Sequence, residues 1–136
     1  MHSKGNESHN NVDIINCDLA SPIMSKLKRK VDIILFNPPY VPTPTEEIAT
    51  CTNLETAAWA GGINGTEVTL RFLKQAIELL SFNGCLYLLI VKENKLDDII
   101  EFVKENNPEN RHELKVHTVM SRKCRNEHLS IIKFHY

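Results

Sequence analysis

The chain has 136 residues, of which 42% are hydrophobic and 24% are charged, and its formal net charge at pH 7 is −1. This length predicts one domain with a sizeable core, and the near-neutral charge removes the general electrostatic case for a nucleic-acid-binding protein. The longest apolar run, Cys85–Val91, is far too short to span a bilayer, and no membrane contact is expected. Four scattered cysteines without a C-x-x-C pair favour reduced thiols and a cytoplasmic location, with the nucleus as an alternative.

Two candidate strands occupy the first third of the chain. Residues 1–11 are polar and are expected to be a disordered start or a helix remnant, which assigns the domain to residues 12–136. Val12–Cys17 is a candidate strand, and Asp18 just past its end could meet a ligand or cap a turn. After a short helical or irregular crossover, Val31–Phe36 predicts a buried strand because it is apolar and rich in β-branched residues.

The second strand runs directly into Asn37-Pro38-Pro39-Tyr40. The two prolines lack a backbone N–H and fix their own φ, so the strand must stop at Phe36. The motif is therefore expected at the carboxyl end of a strand, where open α/β sheets bind their ligands.

Residues 41–65 form a long connection that contains two prolines and three glycines. Loops of this length are usually functional or disordered, and Trp59 among three alanines argues against disorder. A short helix is expected near Glu46–Thr50. The Gly61-Gly62 pair lacks the strand–glycine–helix context of a phosphate-binding loop.

An amphipathic helix is predicted over Thr66–Leu80, where apolar residues recur at helical spacing. Asn64 and Glu67 resemble a capping arrangement at its start. Asn83-Gly84 supplies residues that suit a left-handed stop after the helix.

The last third of the chain predicts a strand, a helix and two further strands. Cys85–Val91 is the strand, and Asn94 can cap the helix that spans Leu96–Val103. The strands Leu114–Met120 and Leu129–Tyr136 are joined tightly enough to pair antiparallel. Crossover helices between the earlier strands imply an α/β fold whose sheet is mostly parallel and ends in a C-terminal antiparallel hairpin.

The chemistry of the proline motif suits a planar nitrogen group. The Asn37 side-chain oxygen and the Pro38 carbonyl can accept hydrogen bonds from an amino or amide N–H₂, and the Tyr40 ring can stack on the same group. Such positioning aims the nitrogen lone pair at an electrophilic carbon, and the acceptors stabilise positive charge that develops on the nitrogen. The alternative is an ordinary Asn-Pro turn.

These residues resemble a known family. Val31-Asp32 followed by Asn37-Pro38-Pro39-Tyr40 is similar to motif IV of the class I S-adenosylmethionine-dependent amino-methyltransferases. Further stretches narrow the resemblance to the eukaryotic-type HemK-like glutamine methyltransferases, which modify the Gly-Gly-Gln glutamine of class I peptide-release factors. These stretches are Val41-Pro42-Thr43-Pro44, the segment from Ala57 to Gly65, and Lys92-Glu93-Asn94.

The resemblance implies S-adenosylmethionine as the cofactor and roles for particular residues. The residues that would bind the substrate amide are Asn37, Pro38, Pro39, Tyr40 and Val41. Asn37 would also be the catalytic residue and lie near the methyl donor. Asp18 and Leu19 match the family position that contacts the adenine of the cofactor. Trp59 and Gly61-Gly62 would shape the substrate mouth, although core packing is an equal reading of Trp59.

The family pattern also contains parts that have no counterpart before Asp18. A glycine-rich loop and an acidic ribose-binding residue belong there, and the seventeen preceding residues hold a single glycine, Gly5. The expected fold is thus a partial Rossmann-like sheet without the first two strands, which in the family lie between Val12–Cys17 and Val31–Phe36. The strand Val31–Phe36 should have an unpaired edge, pair with Val12–Cys17, or pair with a second chain.

The resemblance further implies a release factor as substrate and a small zinc-binding activator subunit that adds a strand beside Val12–Cys17. A homodimer through exposed strand edges is a second possibility. No metal site is expected, because the six histidines lack ligand spacing. Three other functions stay open: an adenine or guanine N-methyltransferase for nucleic acid, a protein lysine methyltransferase, and a non-catalytic chain that binds a partner.

Overall fold

The computed structural model describes residues 11–44, 46 and 54–136. The strands are β1 (Val31–Phe36), β2 (Leu80–Val91), β3 (Lys115–Cys124) and β4 (Glu127–His135). They form one mixed sheet in the order β1-β2-β4-β3. β1 and β2 are parallel, and the two other pairings are antiparallel. The predicted α/β class and the C-terminal antiparallel hairpin are confirmed.

The helices are α1 (Met24–Leu27), α2 (Leu54–Ala57), α3 (Glu67–Leu79) and α4 (Leu96–Asn106), and 3₁₀ turns cover Ser21–Ile23, Ile63–Gly65 and Lys92–Asn94. α3 is the crossover between the parallel strands, and α4 connects β2 to the hairpin. The predictions for residues 1–10 and for a helix at 47–50 lie outside the described residues. Among the helices of the described ranges, none has the length and apolar character needed to cross a membrane.

The core lies between one face of the sheet and the helices α3 and α4. Alternate residues of β1, β2 and β4 point into it, and the buried side chains include Ile34, Leu73, Leu88, Ile99, Val103, Ile132 and Phe134. The intervening residues of β1 face outward: Ile33 is 64% exposed and Leu35 is 77% exposed. The sheet therefore has one packed face and, at β1, one open apolar face.

The predicted strand Val12–Cys17 is wrong. This segment forms no strand, and its apolar side chains are exposed, with Ile14 at 95%. A strand needs a neighbour for its backbone N–H and C=O groups, and no described segment offers one here. β1 accordingly stands at the edge of the sheet and pairs only with β2 among the described strands, which agrees with the expected unpaired edge.

The predicted helix stop at Asn83-Gly84 is also wrong. α3 ends at Leu79 because Leu80 is already extended, with φ −56° and ψ 131°, and begins β2. The pairing with β1 then slips between Val31, opposite Leu80, and Ile33, opposite Cys85. Asn83-Gly84 forms part of this irregularity, and a Cβ on Gly84 would lie 2.8 Å from the Val31 carbonyl oxygen. The glycine serves a close backbone approach within the sheet.

At the start of α3 the capping prediction holds for Glu67 only. Its Oε1 accepts a hydrogen bond from the Ile63 N–H at 3.3 Å, while Thr66 is the N-cap residue and makes no side-chain cap.

The thiols of Cys17 and Cys85 are free and half-buried, and that of Cys124 is free and exposed.

Candidate functional site

The proline motif lies at the carboxyl end of β1. Asn37 is exposed there, Pro38 is buried, and Pro39, Tyr40 and Val41 are half-buried. Because β1 and β2 are parallel, the end of β2 at Val91 and the turn that follows it lie at the same edge of the sheet. Within the described part of the chain the Asn37 side chain makes no hydrogen bond, so its amide is available to a ligand.

The backbone after the motif is held by residues 59–65, which we call the glycine-bearing loop. The Val41 N–H donates to the Trp59 carbonyl at 3.0 Å, and the Gly61 N–H returns a bond to the Val41 carbonyl at 2.9 Å. Thr43 and Gly62 are joined in the same way, by the Thr43 N–H to the Gly62 carbonyl and the Gly62 N–H to Thr43 Oγ1, each at 3.0 Å. The long connection is therefore an ordered platform at these positions.

Glycine is required where this platform meets the motif. A Cβ on Gly61 would lie 2.5 Å from the Pro39 carbonyl oxygen. A Cβ on Gly65 would overlap the Tyr40 carbonyl, and Gly65 also has a φ of +69°. The two backbones thus approach each other more closely than any side chain permits. This close contact restricts the position of the motif.

Trp59 is 44% exposed, so it is not a core residue. Its backbone carbonyl accepts a hydrogen bond from the Val41 N–H. The proposal that it shapes the substrate mouth remains a prediction.

Asn94 is the residue whose role sequence reasoning missed. The N-cap of α4 is Lys95, with φ +50°, and Asn94 precedes it within a 3₁₀ turn. Its buried amide instead donates to the Tyr40 carbonyl at 3.0 Å. The prediction that Asn94 caps this helix is therefore wrong, and the bonded carbonyl lies 54 residues away, where no sequence pattern indicates it.

The Glu127 carboxylate lies close enough to the Tyr40 hydroxyl to affect its pKa. Val91 at the end of β2 faces Leu129 in β4, so Glu127 lies beyond the end of β2 on the motif's side of the sheet. Burial of the ring raises the pKa of Tyr40 above its ordinary value, and Glu127 and the nearby Cys124 raise it further. The start of β4 at the tip of the β3–β4 hairpin thus borders the motif.

Asp18 and Leu19 lie in the segment before β1, whereas the motif follows β1. The Asp18 carboxylate pairs with Arg71 of α3, Oδ2 to Nη2 at 2.6 Å, and both side chains are largely exposed. Leu19 has a φ of +52° and packs against the core. The link to the motif runs through α3, where Phe72, next to Arg71, contacts Phe36 with ring centroids 4.0 Å apart.

Two other features bear on ligand binding. Among the described residues no group of three histidine, cysteine or acidic side chains could hold a metal ion. A cavity of about 450 Å³ is lined by Arg29, Phe82, Arg111 and Tyr136 among others. It lies near the amino ends of β1 and β2, at the opposite edge from Asn37.

The site as built can hold a planar nitrogen group. The Asn37 side-chain oxygen and the Pro38 carbonyl are hydrogen-bond acceptors at one strand end. The Tyr40 backbone is held by Asn94, and the Glu127 carboxylate lies near the Tyr40 hydroxyl. Acceptors on a rigid frame orient an N–H₂ donor with little reorganisation.

No protein-family model matches the chain. It is similar to "Methyltransferase HEMK2" of Mus musculus, with 44% identity over 117 residues that make up 86% of this chain and 51% of the relative. It is also similar to "eRF1 methyltransferase catalytic subunit mtq2" of Schizosaccharomyces pombe, with 38% identity over 110 residues, 81% of this chain and 45% of the relative.

Among solved structures, the chain resembles the Mtq2 subunit in the E. cuniculi Mtq2–Trm112 complex, described as responsible for the methylation of the eRF1 translation termination factor. The TM-score is 0.66 and the identity 27%, over 95% of this chain and 64% of that one. The chain spans about half the length of the curated relatives it matches. In its sequence and its fold, the chain is therefore similar, over most of its own length, to the HEMK2 and Mtq2 methyltransferases.

Proposed function

We propose that the protein is an S-adenosylmethionine-dependent N-methyltransferase that modifies the side-chain amide of a glutamine in a peptide-release factor, within a Gly-Gly-Gln sequence. The observation that carries this proposal is the exposed Asn37 amide at the carboxyl end of β1, on a motif whose following backbone is fixed by four hydrogen bonds to the glycine-bearing loop.

In the proposed reaction the substrate amide donates its two N–H groups to Asn37 and to the Pro38 carbonyl, while the Tyr40 ring stacks on the amide plane. An amide lone pair is delocalised into its carbonyl, so the nitrogen is a poor nucleophile until it is oriented and its developing charge is stabilised. When bound, S-adenosylmethionine supplies an electrophilic methyl group. One N–C bond forms as one C–S bond breaks, and the nitrogen releases one proton to solvent.

The residues present fit one side of a cofactor site. Asn37 would lie near the methyl donor, and the exposed Asp18 carboxylate, oriented by Arg71, offers an acceptor for an exocyclic amino group such as that of adenine. Leu19 would supply apolar contact beside it. The described residues contain no glycine-rich loop after a strand.

The proposed partners follow from the named relatives. The similar solved structure is a complex with Trm112, and we propose a small zinc-binding activator subunit of that kind for this protein too. The substrate is proposed by the same route, because the fission-yeast relative is named for methylation of eRF1.

The test is methyl transfer from labelled S-adenosylmethionine by the protein purified from its own cells, together with any subunit it retains. Release factor, histone and DNA are offered side by side. Label on the release-factor glutamine is expected, and Asn37→Ala should lower kcat by about 100-fold or more. Asn83→Ala, which changes an exposed asparagine at the far end of β2, should leave kcat unchanged. Label on histone or DNA alone, or full activity of Asn37→Ala, would overturn the proposal.

A further inference from the structure

We propose that Asn94 is a positioning residue of this site, which sets the orientation of Tyr40 and, through it, of the substrate amide. The effect of Asn94 on catalysis rests on the proposed function. Its structural basis is independent of that function and consists of four hydrogen bonds made by one buried side chain.

The Asn94 side chain joins three separate segments of the chain. It is 2% exposed. Its Nδ2 donates to the Tyr40 carbonyl at 3.0 Å and the Asn64 carbonyl at 2.9 Å, with a longer contact of 3.4 Å to the Gly65 carbonyl. Its Oδ1 accepts from the Val91 N–H at 2.9 Å. One amide therefore ties the end of β2 to the proline motif and to the glycine-bearing loop.

The chemistry of this position requires a primary amide. Two carbonyl oxygens lie within 3.0 Å of Nδ2, with a third at 3.4 Å, and a single N–H faces Oδ1, which suits the two N–H donors and the acceptor oxygen of asparagine. Aspartate has nearly the same shape and would still accept from Val91. It would, however, turn a carboxylate toward the carbonyls of Tyr40, Asn64 and Gly65 and lose both donors.

This amide does not serve the helix that follows it. The N-cap of α4 is Lys95, and α4 has no side-chain cap hydrogen bond. The Asn94 Oδ1 caps the start of its own 3₁₀ turn through the Val91 N–H, and its Nδ2 is turned to the motif and the glycine-bearing loop rather than to α4. A residue retained only for helix capping would have its oxygen on an N–H inside α4.

Asn94 fixes the backbone from which the Tyr40 ring projects, because it holds the Tyr40 carbonyl. The Glu127 carboxylate lies close to the hydroxyl at the other end of the ring. Displacement of the ring would tilt the stacked amide and misdirect its nitrogen lone pair. Misplacement by about 1 Å costs roughly 100-fold in rate when orientation limits a reaction.

The experiment compares Asn94→Asp and Asn94→Ala with Val103→Ala, a change in the core of α4 that removes buried methyl groups without contacting the site. The protein is again purified with its retained subunit, and the substrate is a release factor with a Gly-Gly-Gln sequence. For each variant we measure unfolding, kcat and KM, and the exchange rates of the backbone amides of Val41, Thr43 and Gly61.

Both Asn94 variants should lower kcat by about 10- to 100-fold, with a smaller change in KM, at a temperature where all the variants are folded. They should also accelerate amide exchange at the three platform positions more than in β4. Val103→Ala should lower the unfolding midpoint while its kcat and its platform exchange remain close to wild type.

Equal kcat in the Asn94 variants and Val103→Ala, or unchanged exchange at Val41, Thr43 and Gly61, would overturn the positioning role. An inactive wild-type protein would instead refute the proposed function, and the exchange measurement would then still decide whether Asn94 holds the platform. Should Asn94→Asp not fold, Asn94→Ala, which adds no charge, decides the question.

Discussion

The carboxylate of Glu127, the first residue of β4, lies close to the hydroxyl of Tyr40 in the motif after β1. These elements are not neighbours in the sheet, because β2 lies between them. The contact therefore spans the carboxyl edge of the sheet and makes the hairpin tip part of the wall around Asn37.

The first prediction concerns the ionisation of Tyr40. Burial is the largest cause of its raised pKa, and Glu127 adds to it. Glu127→Gln should therefore lower the pKa of Tyr40 while leaving it above the ordinary value. The measurement is phenolate absorbance against pH, with Tyr40→Phe identifying the signal. Glu101→Gln, an exposed change on α4, is the matched control, and an identical Tyr40 titration in Glu127→Gln would refute the contact.

The sign of the effect on stability follows from the same shift. A raised pKa in the folded state means that neutral Tyr40 favours folding, fully so below the unfolded value of about 10. This contribution is lost as the pH rises through the folded pKa, so no dependence on Tyr40 is expected between pH 6 and pH 9. Above about pH 10, Tyr40→Phe should lose less stability with pH than wild type in chemical unfolding.

A second prediction addresses the close approach of the glycine-bearing loop to the motif. Gly65→Ala adds a Cβ that overlaps the Tyr40 carbonyl and imposes a side chain at φ +69°. Strain of this kind costs about 1–3 kcal/mol, and the backbone displacement adds to it. Urea unfolding should show a loss of more than about 2 kcal/mol.

The matched control for Gly65→Ala is its neighbour. Asn64 also has a positive φ, of 56°, and its bond to Asn94 is through its backbone carbonyl, so Asn64→Gly should change stability by no more than about 1 kcal/mol. Equal effects of the two variants would show that the loop does not press against Tyr40.

The sequence predicted those parts of the structure that depend on local pattern. The spacing of apolar residues identified α3 to within one residue at each end, and the two prolines correctly ended β1 at Phe36. Val12–Cys17 has strand-like composition, but a strand exists only where another strand supplies its hydrogen bonds, and that depends on residues distant in sequence.

The candidate site also has a part that follows from local sequence and a part that depends on residues distant in sequence. The chemistry of Asn37 and Tyr40 can be predicted because both residues belong to one four-residue motif. Asn94 and Glu127 act on Tyr40 from positions 54 and 87 residues away in the sequence. A short polar stretch before a helix predicts a cap, because that is the local use of asparagine. Only the folded arrangement shows that Asn94 uses its amide elsewhere.

A third prediction concerns Arg111, which fixes the junction between α3 and β2. Its guanidinium donates to the carbonyls of Ile77, Leu80 and Ser81 at 2.7, 2.8 and 3.1 Å and lies over the Tyr136 ring at 3.9 Å. Lysine keeps the charge but lacks the planar fork. Arg111→Lys should lower the free energy of unfolding by about 1–3 kcal/mol.

The control is Arg122→Lys, an arginine on the exposed strand β3, which should change stability by less than about 0.5 kcal/mol. If the two variants unfold alike, the three carbonyl contacts of Arg111 contribute nothing to stability.

The last prediction follows from the difference between the two edges of the sheet. β3 carries Lys115, Arg122 and Lys123, and charged residues discourage pairing with another chain. β1 is apolar apart from Asp32, and that carboxylate accepts a hydrogen bond from Ser81 Oγ at 2.6 Å. We therefore propose that two copies of the 136-residue chain, taken alone, associate through β1 and its exposed face.

Sedimentation over a concentration series should show dimers, and Leu35→Lys should raise the dissociation constant at least tenfold, about 1.4 kcal/mol. Val119→Lys places the same charge at an exposed apolar position of β3 and should leave association unchanged. A monomer at every concentration, or equal association of the two variants, would exclude pairing through β1, because a lysine on that edge meets its copy across the new interface and a lysine on β3 does not.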